Sequence, residues 1–157
     1  MPDHVVDTIF QVASSHSIDS ARIYLTGKSM GGEGTWKVAA TSPRLFAAIV
    51  PMCGGMFPYG GKGAADYASR IIMPTWVFHA ESDCMVLIDE SEIAVEAVKQ
   101  VNPQVRFTRY PDAPDALGHD CWTTAYGSPE LHGWLLGHQN RELASHGLEW
   151  AREQTWR

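Results

Sequence analysis

The sequence predicts an α/β protein built on a mostly parallel sheet. Segments with helical apolar spacing alternate with short strand-like runs along the chain. Phe46-Ala47-Ala48-Ile49-Val50 is continuously apolar, as strands covered on both faces of a parallel sheet are. No internal repeat or low-complexity tract competes with this reading.

Asp3 to Ser15 carries Val5, Val6, Ile9, Phe10, Val12 and Ala13 on one stripe, which predicts a helix. Arg22 to Thr26 reads as a short strand, and Met30 to Thr41 as a helix stopped by Ser42-Pro43. Phe46 to Val50 is the second strand. Residues 54–70 are rich in glycine and small residues and read as a loop or short lid. Thr75 to Phe78, begun by Pro74, is the third strand. Asp89 to Val101 places Ile93, Ala97 and Val101 on one face, with Ala94 and Val98 beside them, and Asn102-Pro103 ends that helix. Val105 to Tyr110 is the last strand, followed by an irregular stretch from Pro111 to Gly118. Ser128-Pro129 has the form of an N-cap with proline at the first helical position, opening a helix through Leu136. A helical tail is expected from Asn140 to Arg157.

At 157 residues the chain is long enough to bury a core without staples, since about 68–70% of the unfolded surface is buried at this size. Twelve Lys and Arg against 18 Asp and Glu give a net charge of −6, which offers nucleic acid and anionic membranes no attraction. No stretch approaches the roughly 18 apolar residues of a spanning helix. Cys53, Cys84 and Cys121 are an odd number at wide spacing, neither a metal motif nor a disulfide framework. With an N-terminus that lacks a signal-peptide pattern, they lead to a cytoplasmic expectation.

Gly27-Lys28-Ser29-Met30-Gly31 matches G-x-S-x-G between an expected strand and an expected helix. A strand turning sharply into a helix holds its central serine in strained backbone and needs small neighbours. The hydroxyl of Ser29 is thereby presented above the sheet, and the backbone N–H of Met30 is free to meet a developing oxyanion. A serine also needs a base, and the base an orienting acid. In this arrangement the order is serine, acid, histidine. Asp83, with Glu81 as its rival, follows the third strand, and His119 follows the fourth. His79 ends a strand and reads as structural, close to the site. His132 and His138 read as solvated or packed, Asp120 as a surface carboxylate, and His4, His16 and His146 are remote in sequence.

Ile18 to Gly27 followed by Ser29-Met30-Gly31-Gly32-Glu33-Gly34-Thr35-Trp36 resembles the α/β-hydrolase superfamily. The likeness is to the esterase group often labelled predicted peptidases, related to polyhydroxybutyrate depolymerases and feruloyl esterases. It continues through Leu45 to Gly55, Pro74 to His79 and Gly118 to Trp122, covering most of residues 3–138. The resemblance implies a three-layer α/β-hydrolase-like sheet and a carboxylic ester hydrolase acting on small esters, with Ser29 as nucleophile, Asp83 as acid and His119 as base. No metal or organic cofactor is implied. The family usually has glycine where this chain has His79, and its segment before Gly118-His119 is usually shorter.

The family also has several strands upstream of the elbow, one of whose loops supplies a second oxyanion donor. Here one helix and a linker precede the elbow strand, so the chain reads as a single domain over 1–157 truncated on its N-terminal side, with 139–157 a helical extension. An open site then favours short acyl esters. A peptidase or feruloyl-type activity, or an idle dimerising or binding module, are the alternatives. The exposed edge of Arg22–Thr26 leads to an expected homodimer, joined there or through exchanged N-terminal helices.

Overall fold

The computed structural model describes residues 2–56 and 64–155. Residues 57–63 of the expected lid, and the last two residues of the expected tail, lie outside them. Helix α1 spans Pro2–Ser15 and leads through a 3₁₀ turn, Ser20–Arg22, into β1, Tyr24–Lys28. Then follow α2 (Met30–Thr41), β2 (Ala48–Met52), α3 (Ala64–Ala68), β3 (Trp76–Ala80), α4 (Ile88–Lys99) and β4 (Arg106–Tyr110). Four short helices close the chain: α5 (Cys121–Tyr126), α6 (Pro129–Gly137), α7 (Arg141–His146) and α8 (Leu148–Glu153).

The four strands are parallel and lie in the order β1-β2-β3-β4, with Tyr24 opposite Ala48, Met52 opposite Phe78 and Trp76 opposite Arg106. Period-two alternation divides the central strands between two cores. Ile49 and Val77 join Val6, Trp36, Val95 and Leu143 beneath the helices of one face. Val50, Met52, Trp76 and Phe78 join Cys121, Ala125 and Leu131 of α5 and α6 on the other. The result is a sheet covered by helices on both sides. Trp36, fully buried, packs its ring into the first core and donates its Nε1–H to Gly54 O at 3.1 Å, which keeps the indole N–H satisfied. Full burial of such a side chain contributes about 1.5–3 kcal/mol.

Strand β1 faces α5 and α6 with every second residue. Tyr24 donates to His138 O at 3.0 Å, Thr26 Oγ1 lies 2.7 Å from the Tyr126 hydroxyl, and the Lys28 ammonium sits 3.9 Å above the Trp122 ring. Trp122 and Tyr126 are one helical turn apart, so one side of a short helix meets one side of the strand. No helix of the described residues is long and apolar enough to cross a membrane.

Several expected boundaries move. Strands β1 and β2 begin two residues later than the apolar runs. Asp19 accepts from Ala21 N and caps the 3₁₀ turn, which delays β1, and Leu45 and Phe46 are buried before β2 begins. The buried face of α4 is Ser91, Ala94, Val95 and Val98, whereas Ile93 is 60% and Val101 48% exposed. Ala94 and Val98 pack inward and Ala97 is half-buried against the same core, but Ile93 and Val101 are turned outward, while Ser91 is drawn inward to a buried histidine. Helix α5 has no counterpart among the expected elements, and neither does α3. Asp120 is not a loose surface carboxylate: it caps α5 by accepting from Thr123 N. Ser128 occupies the N-cap position of α6 with Pro129 next, but its hydroxyl makes no capping bond. The expected tail is two helices, broken at Gly147 with φ 80°.

Candidate active site

Ser29 stands between β1 and α2 with φ 53° and ψ −123°, a conformation that costs an L-residue energy and persists only where neighbours enforce it. They do so here from both sides. Ser29 N donates to Met52 O at 2.9 Å, while its own carbonyl accepts from Gly32 N and Glu33 N. Space is as tight as the expectation of small residues demands. A Cβ on Gly27 would lie 2.2 Å from Gly31 O, one on Gly32 2.4 Å from Met52 O, and one on Gly54 2.5 Å from Ser29 O. At Gly31, the last residue of the pentapeptide, a Cβ would meet nothing within 4 Å. The steric demand falls on Gly27 and Gly32 and not on the second motif glycine. Met30 begins α2, so its N–H has no acceptor within the helix and remains available at the N-terminus.

Asp83 lies in the turn after β3 and is buried. Its Oδ1 accepts from Met85 N and Val86 N, both at 2.9 Å. Its Oδ2 meets His119 Nδ1 at 2.6 Å and His79 Nε2 at 3.1 Å. His119 Nε2 is in turn 2.9 Å from Ser29 Oγ. A carboxylate can only accept, so Nδ1 of His119 carries the proton and Nε2 is left to accept from the serine hydroxyl. Ser29, His119 and Asp83 thus form one continuous hydrogen-bonded chain. Glu81, the rival acid, is exposed and stands apart from it.

The longer segment before His119 is pinned rather than loose. Ser82 Oγ donates to Asp112 Oδ1, Cys84 N donates to Leu117 O, and Asp115 accepts from Leu117 N and Asp120 N. The bond from Asp120 N holds the Asp115 carboxyl below the usual range. Trp122 stands edge-on to the His119 ring, with centroids 5.2 Å apart. That indole, placed by α5, is a neighbour the sequence reading missed. The signal was Asp120-x-x-Thr123, an N-cap pattern directly after His119.

Cys53, with φ 39°, and Cys121 are buried beside the site, and both engage Phe78 O, one through its amide and one through its thiol. The hydrogen bond from Cys121 holds the Cys53 thiol below its ordinary value, and the same pairing pushes Cys121 up. Cys53, Asp83 and His119 bring potential metal-ligand atoms within 4.8 Å of one another. Asp83 and His119 already use those atoms on each other, so this cluster reads as a hydrogen-bonded site with a thiol alongside.

A parallel sheet covered on both faces, with a strained serine at the turn from strand to helix, defines an α/β-hydrolase fold. Within that superfamily the chain belongs to the dienelactone hydrolase family, whose model matches residues 2–121. A thermostable esterase of known crystal structure is 35% identical and superposes with a TM-score of 0.76, over 87% of this chain and 36% of its own. A Salmonella typhi protein named "Putative carboxymethylenebutenolidase" is 26% identical over 132 residues, 82% of this chain and 49% of that protein. Poly(3-hydroxyalkanoate) depolymerase C of Paucimonas lemoignei is 28% identical over 152 residues, covering 78% of this chain and 36% of that protein. The chain therefore spans about half the length of the first of these curated relatives and a smaller share of the other.

Proposed function

We propose that the protein is a serine ester hydrolase. Ser29 Oγ attacks the ester carbonyl while His119 Nε2 takes its proton. The tetrahedral oxyanion is met by the Met30 N–H, and Asp83 holds the imidazolium that has formed. His119 then returns the proton to the departing alcohol, leaving an acyl group on Ser29. Water, deprotonated by the same nitrogen, releases the acid. The observation that carries this reading is the continuous path from Ser29 Oγ through His119 to Asp83 Oδ2, at 2.9 and 2.6 Å.

Small esters with short acyl chains suit the surroundings. Met30, Met85, Leu87 and Leu117, each next to or within a few residues of Ser29, Asp83 or His119 in sequence, are 49–75% exposed, so the segments that carry the site present apolar side chains to solvent. The relatives' names point to a lactone and a polyester, both ester-bonded. The expected result is that Ser29→Ala abolishes p-nitrophenyl acetate turnover and labelling by a fluorophosphonate probe, with circular dichroism unchanged. Labelling of the Ser29→Ala protein at the wild-type rate overturns the assignment, and an unlabelled wild type favours a binding module. The three free cysteines suit the reducing interior of a cell, where we place this activity.

We further infer that the chain pairs with a second copy. Strand β1 is an edge of the described sheet, with one row of backbone groups free to accept a strand. Helix α1 already packs Val5, Val6, Ile9 and Phe10 against its own chain's core, so the edge and not an exchanged helix is the proposed contact. Light scattering at micromolar concentration should give twice the chain mass; a monodisperse monomer overturns this.

A further inference from the structure

We propose that His79 is a positioning residue for the catalytic acid, its Nε2–H fixing the Asp83 carboxylate in the orientation that His119 requires. The inference rests on the ester hydrolase reading above. His79 lies within β3, where all five residues are buried, and its own side chain is fully enclosed. A polar ring in such a place costs several kcal/mol unless both nitrogens are bonded. Both are. Nδ1 lies 2.7 Å from Ser91 Oγ, and Nε2 lies 2.9 Å from Val86 O and 3.1 Å from Asp83 Oδ2.

These partners settle the tautomer. A carbonyl oxygen only accepts, so Nε2 carries the hydrogen and Nδ1 accepts from the Ser91 hydroxyl. Burial lowers the ring's proton affinity below the ordinary value. The Val86 carbonyl and the Asp83 carboxylate oppose that, and His119 adds to it. The ring therefore remains a neutral donor to Asp83. One end of the imidazole is anchored to α4 through Ser91 and the other to the turn that carries Asp83. The carboxylate thus has both oxygens held: Oδ1 by two amides, Oδ2 by His79 and His119 together. Without the His79 donor, Oδ2 loses one of its two fixed partners, and the bond to His119 Nδ1 is less firmly directed.

Two substitutions of nearly the same size separate positioning from packing. His79→Gln places an amide N–H where Nε2 now stands, whereas His79→Asn ends where Nδ1 stands and leaves Oδ2 with His119 as its one donor. His79→Asn is expected to lower kcat about 10- to 100-fold, the scale of a misplaced catalytic group. KM should stay within about twofold. His79→Gln should restore kcat to within about threefold of wild type, and Ser91→Ala, which releases only the far end of the ring, should fall between. In a Ser29→Ala background the low-field proton of the His119–Asp83 bond is the second readout, shifted by His79→Asn and returned by His79→Gln. Equal losses in His79→Gln and His79→Asn, or a His79→Asn protein with wild-type kcat and an unmoved low-field proton, overturn the proposal. A wild type that turns over no ester, with the low-field proton still responding, counts against the ester hydrolase reading and leaves the positioning intact.

Discussion

Asp83→Asn is expected to lower kcat about 10⁴-fold while the protein still folds. The magnitude is that of the same exchange in serine hydrolases of other folds, and the cause can be read from four hydrogen bonds. Met85 N and Val86 N both donate to Oδ1 at 2.9 Å, so the amide oxygen of an asparagine is held on that side. Its NH₂ must then take the place of Oδ2, facing His119 Nδ1. The opposite orientation sets an NH₂ against two backbone N–H groups and forfeits both of their hydrogen bonds. Facing an NH₂, His119 keeps its bond only by moving its proton to Nε2. That nitrogen then donates to Ser29 Oγ instead of accepting from it, and the base is lost with the geometry intact. Glu81→Gln, at an exposed position, is the control and should stay within about twofold of wild type. Turnover of p-nitrophenyl acetate by both variants, with thermal melting alongside, checks this. An Asp83→Asn enzyme within tenfold of wild type removes Asp83 from the mechanism.

Much of this arrangement is legible in the sequence because it depends on local pattern. The elbow needs glycines at fixed offsets, and parallel strands need apolar runs. The strands are found where the runs place them, with β1 and β2 beginning two residues later. Helix α4 is different. Its apolar residues fill more than one stripe, and the pattern set Ile93, Ala97 and Val101 at the centre of the packed face with Ala94 and Val98 beside them. Ser91 decides the face through a contact with a strand twelve residues earlier, which is a tertiary fact. The same bond anchors His79, read from the sequence as structural, as a partner of the acid. Helix α5 was missed because six residues show too little periodicity, and only its cap marks it. The preference for Gly32 over Gly31 lies in the approach of β2, beyond the reach of a local motif.

Gly118→Ala is expected to cost both stability and turnover, in contrast to Asp83→Asn, which costs turnover alone. Gly118 has φ 67°, a region that costs an L-residue about 1–2 kcal/mol by itself. An added Cβ would also lie 2.2 Å from Ser82 O and 2.5 Å from its carbon, inside backbone that cannot swing aside as a side chain does. Ser82 adjoins Asp83 and Gly118 adjoins His119, so the methyl group is a wedge between the two segments that carry the acid and the base. Those segments are otherwise fastened by Ser82 Oγ to Asp112 and by Cys84 N to Leu117 O at 3.1 Å. Prying them apart lengthens the 2.6 Å contact between Asp83 and His119, and a displacement of about 1 Å costs on the order of 10²-fold in rate. Strain and clash together should destabilise the fold by about 3–5 kcal/mol. For a chain of this size that lowers the melting temperature by roughly 6–20 °C. Thermal denaturation and p-nitrophenyl acetate turnover well below the transition measure the two effects separately. A Gly118→Ala protein that melts with wild type and keeps its rate shows that the two loops are not in the contact that fixes the His119–Asp83 bond.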